Sequence, residues 1–183
     1  MSPRVRTALI VFPVLLVATA GAGTTFVRVR ADLAQQRTNI TAEWSDVDQA
    51  LQERAGLIAD LVEAGQKFAP LQAEVVKQVA DARRAVLGGP GPDDKIAANL
   101  QLSNALAKVL VESENHPQMR SNAAFLRLED EIKNSEDRIA EARLKYNDSL
   151  EHYNARIQSF PHNLVARISG FGRNDAYFPT EHF

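Results

Sequence analysis

Apolar residues fall along this chain in one unbroken stretch followed by several periodic ones. The unbroken stretch is TALIVFPVLLVATAGAGTTFV, residues 7–27, which carries no charge and is flanked by Arg4 and Arg6 on one side and Arg28 and Arg30 on the other. At about 1.5 Å per residue, a helix of this length just spans a hydrocarbon core of roughly 30 Å. Beyond it neither Gly nor Pro occurs until after Ala55, so the helix is expected to run on from the apolar segment. Trp44, Val47, Leu51, Arg54, Ile58, Leu61, Gly65 and Phe68 then alternate steps of three and four, the period of left-handed helix packing. Leu57 and Val62 widen this stripe beyond a two-stranded seam and favour a bundle.

Pro70 lacks an amide donor and disfavours helical geometry at Ala69, which predicts a break there. Leu71, Val75, Val79, Ala82 and Val86 carry an apolar face onward to a Gly-Gly-Pro-Gly-Pro turn at residues 88–92, after which Asp93 or Asp94 is expected to cap the next helix. That turn lacks the Gly-Lys-Ser/Thr ending of a phosphate loop and follows a helix. Leu102, Leu106 and Val109 mark a second helix antiparallel to the first, and Pro117 is placed to open another. The longest pattern is Phe125, Leu128, Ile132, Ser135, Ile139, Ala142, Tyr146, Leu150, Tyr153, Ile157 and Phe160, closed by Pro161. These periods, with no strand pattern, predict an all-α protein: an N-terminal transmembrane helix followed by an antiparallel long-helix bundle. The expected organisation is a membrane anchor over residues 1–27, a helical bundle over 28–160 and an aromatic tail over 161–183. The tail is expected to pack on the bundle through Leu164, Ile168, Phe171, Tyr177 and Phe178, the competing reading being an exposed docking segment.

The apolar N-terminus admits a second reading as a cleaved signal peptide, with Ala18-Thr19-Ala20 or Ala20-Gly21-Ala22 as the cleavage site. The apolar run continues past both sites through Phe26 and Val27, which favours retention and hence a single-pass protein of the cell membrane. Arginines on the two flanks balance, so they favour neither orientation.

Composition narrows the chemistry. A formal net charge of −2 in 183 residues supplies no basic field for phosphates, which argues against a nucleic-acid partner. Without cysteine there is no disulfide, thiolate nucleophile or Cys-ligated metal. His116, His152, His162 and His182 form no Glu-x-x-His step of the kind that holds di-iron in bundles, and no G-x-S-x-G motif accompanies Ser103 or Ser135. The carboxylates Glu129, Asp130, Glu131, Glu136 and Asp137 read as a solvated face, and Glu141 precedes Lys145 by four in the favourable order. No catalytic, cofactor or metal residue is therefore assigned.

The polar residues that stand out lie on or beside the seams: Arg54, Asn147 and Asn154. Burying an unpaired charge is costly, so Arg54 is expected to meet Glu136 or Asp137, or to extend to the bundle rim. These groups are read as fixing helix register, with a ligand site as the alternative.

The segments EWSDVDQALQERAGLIADLVEAGQKFA, NLQLSNAL and NAAFLRLEDEIKNSEDRIAEARLKYNDSLEHYNARIQSFPHNLVARISGFG resemble the LemA family. The resemblance extends from about residue 39 to the C-terminus, and its most specific pieces include Trp44-Ser45, Asp48, Arg54, Ala142-Arg143, Tyr146-Asn147, Tyr153-Asn154 and Phe160-Pro161. It implies an N-terminal anchor and a long antiparallel bundle in bacteria, with no catalytic residues to carry over, and it suggests membrane organisation or scaffolding. The chain departs from the family pattern at Gly56, at Ala59-Asp60 and at Leu71-Gln72. The expected partners are the lipid bilayer, a membrane protein and a second copy of the chain; the rival functions are a secreted or periplasmic helical binding protein released by signal cleavage and, behind it, a bundle-core metalloenzyme.

Overall fold

A computed structural model describes residues 3–67 and 71–179, with side chains from residue 19 onward. Six helices follow one another: α1 (Pro3–Gln66), α2 (Ala73–Gly88), α3 (Pro92–Glu114), α4 (Pro117–Arg120), α5 (Ala123–Gln158) and α6 (His162–Ser169). The protein is all-α, with no strand among the described residues. Among the residues whose side chains are described, no helix is long and apolar enough to cross a membrane. The apolar segment at residues 7–27 lies largely outside the residues whose side chains are described, as do Phe68, Pro70 and His182 altogether.

The chain forms two compact units, one from Met1–Asn39 with Leu150–Asn174, the other from Ile40–Ser149 with Asp175–Phe183. In the second unit, contacts between side chains fix the direction of each helix. Trp44 meets Tyr146 in a tilted ring contact while Arg54 reaches Glu136, so α1 and α5 run antiparallel. Asp48 meets Lys95 while Arg54 meets Asn99 and Ser103, so α1 and α3 run parallel. Glu112 accepts from the Gln72 amide and Lys108 donates to Gln78, so α2 opposes α3. The result is an up-down-up-down four-helix arrangement of α1, α2, α3 and α5.

Its core is the set of seam positions. Val47, Leu51, Ile58 and Leu61 from α1, Val75, Val79, Ala82 and Val86 from α2, Leu102, Leu106 and Val109 from α3, and Phe125, Ile132, Ile139 and Tyr146 from α5 are all buried. Gly65 lets α1 close on α4 and α5: a Cβ there would lie 2.7 Å from Met119 Cε and 3.6 Å from Phe125.

Helix ends are set locally. Asn122 caps α5, its Oδ1 accepting from the amides of Ala124 and Phe125. The α3 start corrects the expectation of an aspartate cap: Gly91 is the N-cap and Pro92 opens the helix. Pro suits that first position because it has no amide to leave unpaired, which moves Asp93 and Asp94 into the first turn, where their charge favours the helix dipole.

In the first unit, Val29 and Leu33 of α1, Tyr153 of α5 and Val165 and Ala166 of α6 are buried. Arg156 and His162 both approach Asp32, at 3.8 and 3.3 Å. Gly170 ends α6 with φ +74°, the left-handed geometry that lets the Phe171 amide reach the Ala166 carbonyl at 2.9 Å. The seam read through Phe160 stops short of that residue: α5 ends at Gln158, and Phe160 lies in the following turn, 83% exposed. Leu164 and Ile168 are likewise exposed, because α6 turns Val165 and Ala166 inward in their place.

Candidate functional site

In the second unit, Arg54 is 3% exposed at a position whose neighbours in the seam, Leu51 and Ile58, belong to the core. Its guanidinium donates to Asn99 Oδ1 at 2.8 Å, Ser103 Oγ at 2.9 Å and Glu136 Oε1 at 2.7 Å, tying α1 to α3 and α5 at one level. Asn99 and Ser103 reach it together because they stand four apart on one face of α3. Glu136 follows the buried seam residue Ser135 and so sits at the seam's edge, its side chain 47% exposed. The arginine is thus desolvated, whereas the carboxylate that balances it stays wetted, which lowers the cost of burying the pair.

These residues, with Asp137, Ile139, Ala140, Arg143 and Phe178, line a cleft of about 200 Å³. Arg54 Nε and Arg143 Nε are buried with no hydrogen-bond partner among the described residues. The cleft therefore sets two guanidinium groups beside the carboxylates of Glu136 and Asp137, a polar lining suited to water or a small polar guest. Nearby on α1, Asp48 and Lys95 form a further ion pair, largely withdrawn from solvent, that links α1 to α3.

Asn147 and Asn154 do different work from Arg54: each grips the backbone of the C-terminal segment. In the second unit, Asn147 Nδ2 donates to the Phe178 carbonyl at 2.7 Å and Oδ1 accepts from the Phe178 amide at 2.9 Å. Beside it the Tyr146 hydroxyl donates to the Ala176 carbonyl at 2.9 Å. In the first unit, Asn154 makes the same exchange with Asn174, at 2.7 and 3.0 Å, and the Tyr153 hydroxyl donates to the Gly172 carbonyl at 2.8 Å. Burial pushes the Tyr146 phenol up to about 12, with the nearby Asp93 carboxylate adding to the effect. Burial also raises Tyr153, while the Arg37 charge acts against it. Phe178 is buried in the second unit, and Arg37 stands 5.8 Å from the ring of Phe171 in the first.

Sequence reasoning singled out Arg54, Asn147 and Asn154 but not Asn99 or Arg143 as parts of a site, nor the Asp48–Lys95 pair. The signals for Asn99 and Ser103 were their place in the segment NLQLSNAL and their four-residue spacing, which a solvated helix face shows equally well. No group of three or more His, Asp or Glu side chains among the described residues is arranged to hold a metal ion.

A buried arginine shared by three helices, and a C-terminal segment held by repeated Tyr-Asn pairs, define a long-helix bundle with a clamped tail. The LemA family model matches residues 43–182, and the chain belongs to the LemA family. It is similar to Magnetosome protein MamQ 2 and Magnetosome protein MamQ 1 of Paramagnetospirillum magneticum, each 27% identical over 84% of this chain and 63% of the relative. Magnetosome protein MamQ of Magnetospirillum gryphiswaldense is 26% identical over 72% of this chain and 58% of its own length. The chain thus spans less than two thirds of the length of these relatives.

Proposed function

We propose that the protein is a membrane-anchored helical scaffold that docks a partner on its bundle. The observation that carries this reading is continuity: α1 is one helix from Pro3 to Gln66, so the apolar segment at residues 7–27 enters the bundle without a flexible linker. Downstream, the same helix supplies Arg54, whose bonds to α3 and α5 fix its register. An anchor continuous with the helix that carries the bundle's buried arginine is what a membrane-tethered scaffold requires. The relatives' name, magnetosome protein, is consistent with work at an organelle. The test is photocrosslinking in intact cells from Arg127 and Lys145 on the exposed face of α5, followed by mass spectrometry of the membrane fraction. A discrete crosslinked membrane protein supports the scaffold. Crosslinks to the same chain alone point to a homo-oligomeric coat, and recovery in the soluble fraction overturns the anchor.

A second reading rests on the mixed lining of Arg54, Arg143, Glu136 and Asp137: the cleft binds a small carboxylate or zwitterion. Here added acetate or glycine raises the melting temperature above that in equimolar chloride, and Arg143→Gln removes the difference. Equal melting temperatures in the two salts exclude it.

A further inference from the structure

In the first unit α6 is apolar on two sides. Val165 and Ala166 face inward, while Leu164 and Ile168, one turn apart, face outward at 56% and 67% exposure. Phe160, in the turn that leads into the helix, adds a largely bare ring. An eight-residue helix gains nothing in water from a second apolar face, and such patches on folded proteins mark contact surfaces.

The position of this face identifies what covers it. His162 and Arg156 meet Asp32 of α1. Asp32 is five residues beyond Val27, the end of the apolar segment, a rise of about 7–8 Å along the helix. Val27 itself is exposed. The start of α6 therefore lies within about one and a half helical turns of the point where the apolar segment ends.

Charge points the same way. Between Glu151 and Asp175 the chain has no acidic residue and three arginines, Arg156, Arg167 and Arg173. On α1, Arg28 and Arg30 flank the apolar segment, and the single nearby carboxylate, Asp32, is paired with Arg156 and lies 3.3 Å from His162. A short helix with exposed Leu and Ile, bordered by arginine and free of acid, has the composition of an element that lies in the plane of an anionic membrane surface. A protein partner would need no such uniform sign.

We infer that α6 is an interfacial helix: Phe160, Leu164 and Ile168 insert into the headgroup–acyl boundary of the bilayer, with Arg167 among the anionic headgroups. This rests on the anchor reading above and adds a second, independent foothold to it. A transmembrane helix alone leaves the domain free to tilt about its exit point, whereas two footholds fix its inclination.

Because the chain contains no cysteine, single labels can be placed cleanly. The full chain, carrying an environment-sensitive fluorophore at Ile168→Cys, Val17→Cys or Arg127→Cys, is reconstituted in phosphatidylcholine–phosphatidylglycerol vesicles. Quenching is then read with shallow and deep nitroxide lipids and with iodide on both sides of the bilayer. The expected result is blue-shifted emission at Ile168 with strongest quenching by the shallow nitroxide, quenching at Val17 by the deep one, and quenching at Arg127 by iodide alone. If Val17 is quenched by lipid but Ile168 behaves like Arg127, the interfacial helix is wrong and the anchor stands. If Val17 also behaves like Arg127, the anchor fails and takes the inference with it. If Ile168 is shielded from both quenchers and self-quenches until unlabelled chain is added, a second copy covers α6 and the lipid contact is overturned.

Discussion

Asn147 and Phe178 are paired as two residues of adjacent strands would be, except that one partner is a side chain. The asparagine amide donates to the Phe178 carbonyl and its oxygen accepts from the Phe178 amide, at 2.7 and 2.9 Å. A helix surface has no spare backbone groups to offer an extended segment, and a carboxamide supplies the missing donor and acceptor together.

Removing this exchange frees the tail. Asn147→Ala deletes two bonds at about 1 kcal/mol each and leaves the Phe178 groups to find water. The Phe178 amide is expected to lose protection from hydrogen exchange, while amides in the middle of α3 keep theirs. Asn147→Asp retains the acceptor but not the donor, and protection should fall between the two. Equal protection in all three proteins would show that packing of the Phe178 ring alone holds the tail.

Arg54 and Glu136 are unequal partners, one buried and one half in water. Glu136→Gln leaves a neutral acceptor in place, and solvent already screens the charge, so a loss of about 1 kcal/mol is expected by denaturant unfolding. Arg54→Ala removes three bonds and opens a cavity, for a loss of about 3 kcal/mol. The double variant should cost less than the sum of the two singles. A variant Arg54→Met that unfolds later than the natural protein, with helix content intact, would mean that the charge is kept for something other than stability.

Gly65 gives a packing test. In Gly65→Ala the new methyl displaces only the end of Met119, a flexible side chain, and the change gains up to about 1 kcal/mol of helix propensity, so near-neutral stability is expected. Gly65→Leu overpacks the same place and should cost about 1–3 kcal/mol, partly restored by Met119→Ala. An additive double variant would place the two changes in separate environments.

The Tyr146 phenol predicts loss of stability in alkali. Its pKa is raised from 10.0 to about 12 in the folded chain, mainly because burial disfavours the phenolate. The unfolded chain gives up that proton first, so the tyrosine's contribution is complete below pH 10 and declines as pH climbs toward 12. Absorbance at the phenolate band should show a late-titrating tyrosine that Tyr146→Phe removes. The variant's stability should also fall less steeply over the same interval.

Much of the bundle was readable because burial follows a period close to 3.5, and a stripe such as Val75, Val79, Ala82 and Val86 has few other physical explanations. Arg54 stood out for the same reason, as a charge inside that period, and Glu136 could be named because it flanks the facing seam. Asn99 and Ser103 could not, since polar residues four apart on a helix ordinarily face water. The partners of Asn147 and Asn154 left no trace because they are peptide groups, which every residue carries. Phe160 was misjudged by extending a helical period past the residue where α5 ends, and Leu164 and Ile168 by taking the tail's apolar residues as packed on the bundle.

The hydrogen bonds from Tyr146, Asn147, Tyr153 and Asn154 to the C-terminal segment end on peptide groups: the carbonyls of Gly172, Asn174, Ala176 and Phe178, and the amides of Asn174 and Phe178. They are consequently indifferent to which side chains pass beneath them. As far as this grip is concerned, only proline is barred, at positions 174 and 178, because it lacks the amide. Substitutions other than proline at those two positions leave these particular bonds in place, so the grip constrains backbone rather than side-chain identity.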